Sequence, residues 1–313
     1  MNLPSLPLLG LTFLLGLLVN PSTVHAATVI QDDFNDGNPT TGATTLPVSS
    51  WSKSGNSVES DGVLTITTNA IGGSAAPTQW SGSVLYTNTA SSQLNLYQNS
   101  ITVAIRELTL SSSGDHAGTQ ARFRFGLMPR DNEAYINPAQ GTASNGTNTF
   151  GQFYNSGNDG ISVDITNNAD LTSSVFTVRY KKNASTSATD PNNIPTNGSA
   201  TVGFIVTGLD FTATSTEWTL TLYGDNSATS VHSGTWSLGD MGSWGNATDG
   251  WGNSSFIMGV QNMGAAGLSE PTASANGWTT ATIGSVSVTA VPEPSRALLA
   301  FGGLLLLATR RQR

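Results

Sequence analysis

The chain is written in short β-patterned runs broken by Gly, Asn, Ser and Asp, and no useful length of it repeats apolar residues at helical spacing. In "ARFRFGLM", Phe123, Phe125 and Leu127 alternate with Arg122 and Arg124, so a strand sends the apolar three to one face and the arginines to the other. "EWTLTLYGD" repeats the pattern with Trp218, Leu220 and Leu222, and "GVLTITT" places Val63, Leu64 and Ile66 after an Asp61-Gly62 turn. "ITVAIRELTL" alternates over Ile101, Val103 and Ile105 and then changes phase to Leu108 and Leu110, which predicts a β-bulge near Arg106-Glu107. Further strands are read from "FGQFY", "GISVDI", "SVFTVRYKK", "ATVGFIV", "SFIMGVQ" and "ATIGSVSVTA". Their spacing is too irregular for a propeller or solenoid, and no shift in composition divides them. The pattern therefore predicts an all-β chain with a single large antiparallel β-sandwich. Two long loops interrupt it, Ser185 to Ser199 and Ser237 to Ser255.

The two ends read differently. Leu3 to Val19 is leucine-rich, and Val24-His25-Ala26 has small residues at the spacing a signal peptidase reads, so cleavage is expected between Ala26 and Ala27. The segment lacks the usual basic residues before its apolar run, but Asn20-Pro21-Ser22 breaks the helix that a signal anchor would need. At the other end, the apolar run Ala297 to Thr309 reaches about 20 Å as a helix, short of a bilayer core of about 30 Å. Arg296 on one side and Arg310, Arg311 and Arg313 on the other favour a cytoplasmic C-terminus. Pro292 and Pro294 keep the stretch around Glu293 extended.

The order Val291-Pro292-Glu293-Pro294-Ser295, apolar stretch, arginine cluster resembles the PEP-CTERM sorting signal of Gram-negative bacteria that make exopolysaccharide. The resemblance covers about the last 23 residues. It implies transient inner-membrane anchoring through the hydrophobic helix, recognition by an exosortase, loss of the tail, and delivery to the cell surface or extracellular matrix. An ordinary C-terminal anchor is the alternative reading. The chain thus divides into a signal peptide at 1–26, a body at 27–290 and a sorting segment at 291–313.

Charge narrows the function classes. Of the 12 basic residues four lie in the tail, which leaves the body 8 against 19 acidic ones and opposes any role in binding nucleic acid. With only 10% charged residues, Ser, Thr, Asn and Gly must cover most of the surface. The absence of cysteine removes disulfides, thiolate metal sites and cysteine nucleophiles.

"IQDDFNDGN" from Ile30, a tryptophan at 51, "VESDGVLTI" and the closing "ATIGSVSVTAVPEPS" together resemble bacterial concanavalin A-like lectin/glucanase jelly rolls. That resemblance implies a jelly-roll body whose first and last strands pair, bringing Asp33 near Val286. Laminarinase-type enzymes on this fold carry E-x-D-x-x-E on one strand. Here Glu59-Ser60-Asp61-Gly62-Val63-Leu64 puts Leu64 where the general acid belongs, so an enzyme of that type is not expected. No G-x-S-x-G elbow, H-E-x-x-H pair or P-loop appears, and the body's two histidines, His116 and His232, are too few for a three-histidine zinc site.

Two candidate sites remain. Asp32, Asp33 and Asp36 offer hard oxygen ligands suited to calcium, with a plainly solvated acidic turn as the alternative. Trp236, Trp244 and Trp251, set among Gly, Asn and Asp, combine flat apolar rings with hydrogen-bonding groups, the mixture that sugars require, although core packing is the ordinary fate of a tryptophan in a sandwich. Trp218 and Trp278 are assigned to the core or its edge. The expectation is an exported, non-catalytic protein that associates with exopolysaccharide or another glycan, its processing partners being signal peptidase and an exosortase. The alternatives are a purely structural matrix component and a hydrolase or lyase with an unrecognised acid pair.

Overall fold

The structure, a computed structural model, describes residues 26–37, 51–54, 56–67, 82–87, 92–113, 121–129, 160–168, 171–181, 196–236, 254–262 and 278–293. Within them lie β1 (Ala27–Asp32), β2 (Trp51–Ser54), β3 (Asn56–Ser60), β4 (Val63–Thr67), β5 (Gly82–Thr87), β6 (Asn99–Arg106), β7 (Thr109–Ser113), β8 (Ala121–Pro129) and β9 (Gly160–Asn167). The series continues with β10 (Ser174–Lys181), β11 (Thr196–Val202), β12 (Val206–Ala213), β13 (Glu217–Gly224), β14 (Thr229–Thr235), β15 (Ser254–Asn262), β16 (Trp278–Ile283) and β17 (Ser285–Pro292). The helical elements among the described residues are single 3-10 turns at Ser92–Leu94 and Asp225–Ser227, and none among those residues is long and apolar enough to cross a membrane. "FGQFY" and both hydrophobic segments lie outside the described residues.

Among the described residues the strands form three antiparallel sheets. One runs β1-β17-β6-β12-β13-β14, the second β11-β10-β9-β8-β15-β5-β2 and the third β3-β4-β16-β7. The alternation read from the sequence sets their inner faces. Phe123, Phe125 and Leu127 of β8 pack with Ile161, Val163 and Ile165 of β9. They face Leu209 and Phe211 of β12 and Leu220 and Leu222 of β13 from the six-stranded sheet. Phe125 and Phe211 meet edge to face across the two layers at 6.0 Å, a favoured aromatic geometry in a core.

The phase change at Arg106-Glu107 is a corner of the sandwich. Here β6 leaves the six-stranded sheet and its continuation β7 enters the four-stranded one, with Glu107 at φ 56°. The partner strand bends at the same place, because β17 pairs with β6 while β16 pairs with β7. Gly284, between β16 and β17, donates its amide to the Arg106 carbonyl at 3.0 Å. One long antiparallel pair is thus folded over two sheets. The single strand expected from "ATIGSVSVTA" is therefore two.

"ATVGFIV" likewise divides, into the end of β11 and the start of β12, because the chain turns at Gly203 and Phe204. The strand β11 begins at Thr196, so the loop expected to run to Ser199 stops short of it. Trp218 lies in the core as expected, in a slot left by two glycines: a Cβ on Gly198 or Gly234 would come within 2.6 or 2.7 Å of its ring. The first and last strands do pair, with Asp32, rather than Asp33, opposite Val286.

Candidate functional site

The outward face of the seven-stranded sheet collects charge. Alternation along β8, β9 and β10 sends Arg122, Arg124, Asp164 and Arg179 away from the phenylalanine core, and the register sets Arg124 directly opposite Asp164. Arg124 grips that carboxylate with two prongs, through Nε to Oδ1 and at 2.7 Å from Nη2 to Oδ2. Arg122 and Arg179 approach Oδ2 at 3.7 and 3.5 Å. Asp164 is 2 % exposed and Arg124 4 %. Burial alone would raise the Asp164 carboxyl; Arg124, by charge and hydrogen bonds, and then Arg122 and Arg179 outweigh it and hold the group below the usual carboxylate range. Asp164 is therefore ionised and its geometry fixed, which suits an anchor of arginine donors and does not suit a proton donor.

Of the three tryptophans expected to bind sugar, Trp236 falls within the described residues. Trp236 is only 5 % exposed, its indole N–H donates to the Thr214 carbonyl at 2.9 Å, and Tyr180 and Phe211 meet its ring edge to face. A ring enclosed in this way offers no flat face to a sugar, so Trp236 is a core residue. Trp244 and Trp251 lie outside the described residues.

The acidic triplet separates. Asp32 is buried and its Oδ1 accepts the Phe34 amide at 2.9 Å, an Asx turn that lets Phe34 enter the core at φ 53°. Asp33 points to solvent. In its place Glu59 of β3 comes in, 5 % exposed, its Oε1 accepting the Gly37 amide at 2.9 Å. Burial first, opposed by the Gly37 amide and reinforced by Asp36 and Asp32, pushes Glu59 up to about 7. Among the described residues no three His, Asp or Glu side chains converge as a metal ion would need, so the calcium trio of Asp32, Asp33 and Asp36 is not assembled.

At the termini, β1 starts at Ala27, beside the exposed Ala26, and Ala27 pairs with Ala290. Val291 and Pro292, at the start of the expected sorting motif, belong to β17, opposite Ser100 and Asn99, and the Glu293 amide donates to the Gln98 carbonyl at 2.8 Å. Pro294 and Ser295 lie outside the described residues.

Sequence reading missed Asp164 and Glu59. For Asp164 the alternation with Val163 and Ile165 gave only its direction away from the core; its burial and its arginines come from the neighbouring strands. Glu59 was legible only as the start of a failed motif.

No family model matches the chain, and no curated protein matches it. Among solved structures, peanut lectin with a nonapeptide is similar at 13% identity and a TM-score of 0.47, over 87% of this chain and 100% of that one. Basic winged bean lectin with Tn-antigen stands at 10% and 0.47, over 86% and 100%. A LamA variant from Z. galactanivorans, with laminaritriose and laminaritetraose, stands at 11% and 0.45, over 84% and 98%.

Proposed function

We propose that the protein is exported, trimmed at both ends and delivered to the surface or extracellular matrix of a Gram-negative bacterium, where its sandwich associates with exopolysaccharide or another glycan without catalysing its turnover. The observation that carries this reading is where the first and last strands among the described residues begin and end. The first begins at Ala27, the residue that cleavage after Ala26 exposes, and the last ends at Pro292 inside the sorting motif. The strands of the three sheets among the described residues lie between those points, and of the sorting segment only Val291 and Pro292 contribute to them, at the end of β17. Arg122 and Arg179, partly exposed beside the buried Arg124–Asp164 pair, support the glycan half, because fixed guanidinium donors suit sugar hydroxyl and carboxylate oxygens. The ionised, locked state of Asp164 speaks against its acting as a glycosidase acid.

The test is the intact mass of the protein recovered from its host, with the fraction that holds it. The expected mass begins at Ala27 and ends within Val291 to Ser295, in the surface or matrix fraction. A full-length C-terminus in the inner membrane refutes the sorting half. No retention on the host's own polysaccharide refutes the glycan half.

A further inference from the structure

The outward face of the six-stranded sheet is lined mostly by short side chains, among them Thr102, Ala104, Thr212, Thr219 and Thr221. At the corner where β6 passes into β7 the surface changes. Arg106, Glu107, Thr207, Gly208 and Tyr223 line an open pocket of about 480 Å³, within the range of small-ligand sites. Gly208 makes its floor: a Cβ there would stand 3.8 Å from both the Arg106 stem and the Tyr223 ring and 3.2 Å from the Ile105 carbonyl, filling the space between the walls.

The walls are held in place before any ligand arrives. Arg106 donates from Nη1 to the Leu209 carbonyl at 2.7 Å and the Ile105 carbonyl at 3.1 Å, and from Nη2 to Asp210 at 2.6 Å. The same carboxylate accepts the Tyr223 hydroxyl at 2.6 Å, and the Arg106 guanidinium lies 5.2 Å from the Tyr223 ring centre. Asp210 pushes the phenol above its usual range, so Tyr223 is a neutral, oriented donor. At the rim, Glu107 keeps its φ of 56° because the Leu108 amide is tied to the Thr207 carbonyl at 2.8 Å and the Gly284 amide to the Arg106 carbonyl. Its carboxylate lies over Gly284, where any side chain would collide with it. A strained, non-glycine conformation supported from both sides is the kind of feature that gathers at binding sites.

We propose that this pocket is a subsite for a neutral pyranose, on the opposite layer of the sandwich from the arginine face. The ring's apolar face lies against Tyr223 and the Arg106 stem, and its hydroxyls donate to Glu107 and to the Thr207 hydroxyl oxygen, whose own proton goes to the Tyr223 carbonyl at 3.4 Å. Asp210 neutralises Arg106 and Glu107 adds one negative charge, so the pocket repels anionic sugars. The proposal rests on the reading that the protein associates with glycan, and adds to it a place and a sugar class.

The experiment uses mature protein from its host in affinity electrophoresis through gels containing dextran, laminarin, neutral galactan or alginate, with hydroxyl-radical footprinting of Tyr223. The expected result is retardation in at least one neutral gel, protection of Tyr223 there, and retardation weakened about tenfold in Gly208→Val and Tyr223→Ala, the loss of roughly one aromatic contact. Thermal midpoints within a few degrees of the parent show that both variants fold; Thr219→Ala, on the same face, should migrate as the parent does. Retardation unchanged in both variants, or confined to alginate, overturns the subsite while leaving glycan association standing. No retardation in any gel or on the host's polysaccharide overturns the glycan reading itself.

Discussion

Glu59 makes stability depend on pH in a direction opposite to most carboxylates. Its folded-state value is raised to about 7 from an ordinary 4.5, so the native state holds a proton that the unfolded chain has released. The stabilisation is complete below about pH 4.5, falls as pH rises toward 7, and is lost above it. At about 1.4 kcal/mol per pH unit over that window the loss is about 3 kcal/mol, a large share of the stability of a typical domain. Glu59→Gln keeps an acceptor for the Gly37 amide and presents an N–H donor toward Asp36 while removing the ionisation. Guanidinium unfolding of the two proteins from pH 4 to 9 at fixed ionic strength tests this. The parent should lose stability between pH 4.5 and 7, and the variant should lack that fall and exceed the parent by up to about 3 kcal/mol at pH 8. If the variant keeps the parent's slope, the carboxyl is not the group responsible and the reasoning fails.

Other outcomes follow from the same packing. Asp164→Asn should destabilise by about 3 kcal/mol or more, because it removes the buried charge that Arg124 grips; calorimetry should also show the parent losing this contribution as pH falls below the usual carboxylate range. Gly234→Ala should cost about 1–3 kcal/mol in chemical denaturation through collision with the Trp218 ring, and Trp218→Phe in the same chain should recover part of it. Trp236→Phe, which loses the hydrogen bond to Thr214, should lower the melting temperature by several degrees and leave glycan retention unchanged.

What the chain determined by itself is the local alternation. Phe123, Phe125 and Leu127 fall on the inner face of β8, Trp218, Leu220 and Leu222 on that of β13, and the break at Arg106-Glu107 is real, because a strand's side-chain period of two is a local property. The paired first and last strands were anticipated from resemblance, and the register, which sets Asp32 opposite Val286, came from the structure. Where long runs such as "ATVGFIV" and "ATIGSVSVTA" divide was not legible, since a strand ends only where a particular partner stops supplying hydrogen bonds. The same limit applied to chemistry. Asp32, Asp33 and Asp36 are neighbours in sequence, but the side chains of Asp32 and Asp33 point apart, and the carboxyl that Asp36 meets is Glu59, from another strand. Asp164 acquired its arginines, and Tyr223 its Asp210 and Arg106, only when strands from distant parts of the chain were set side by side. Alternation fixes which way each side chain faces, and the tertiary pairing of strands decides what it meets there.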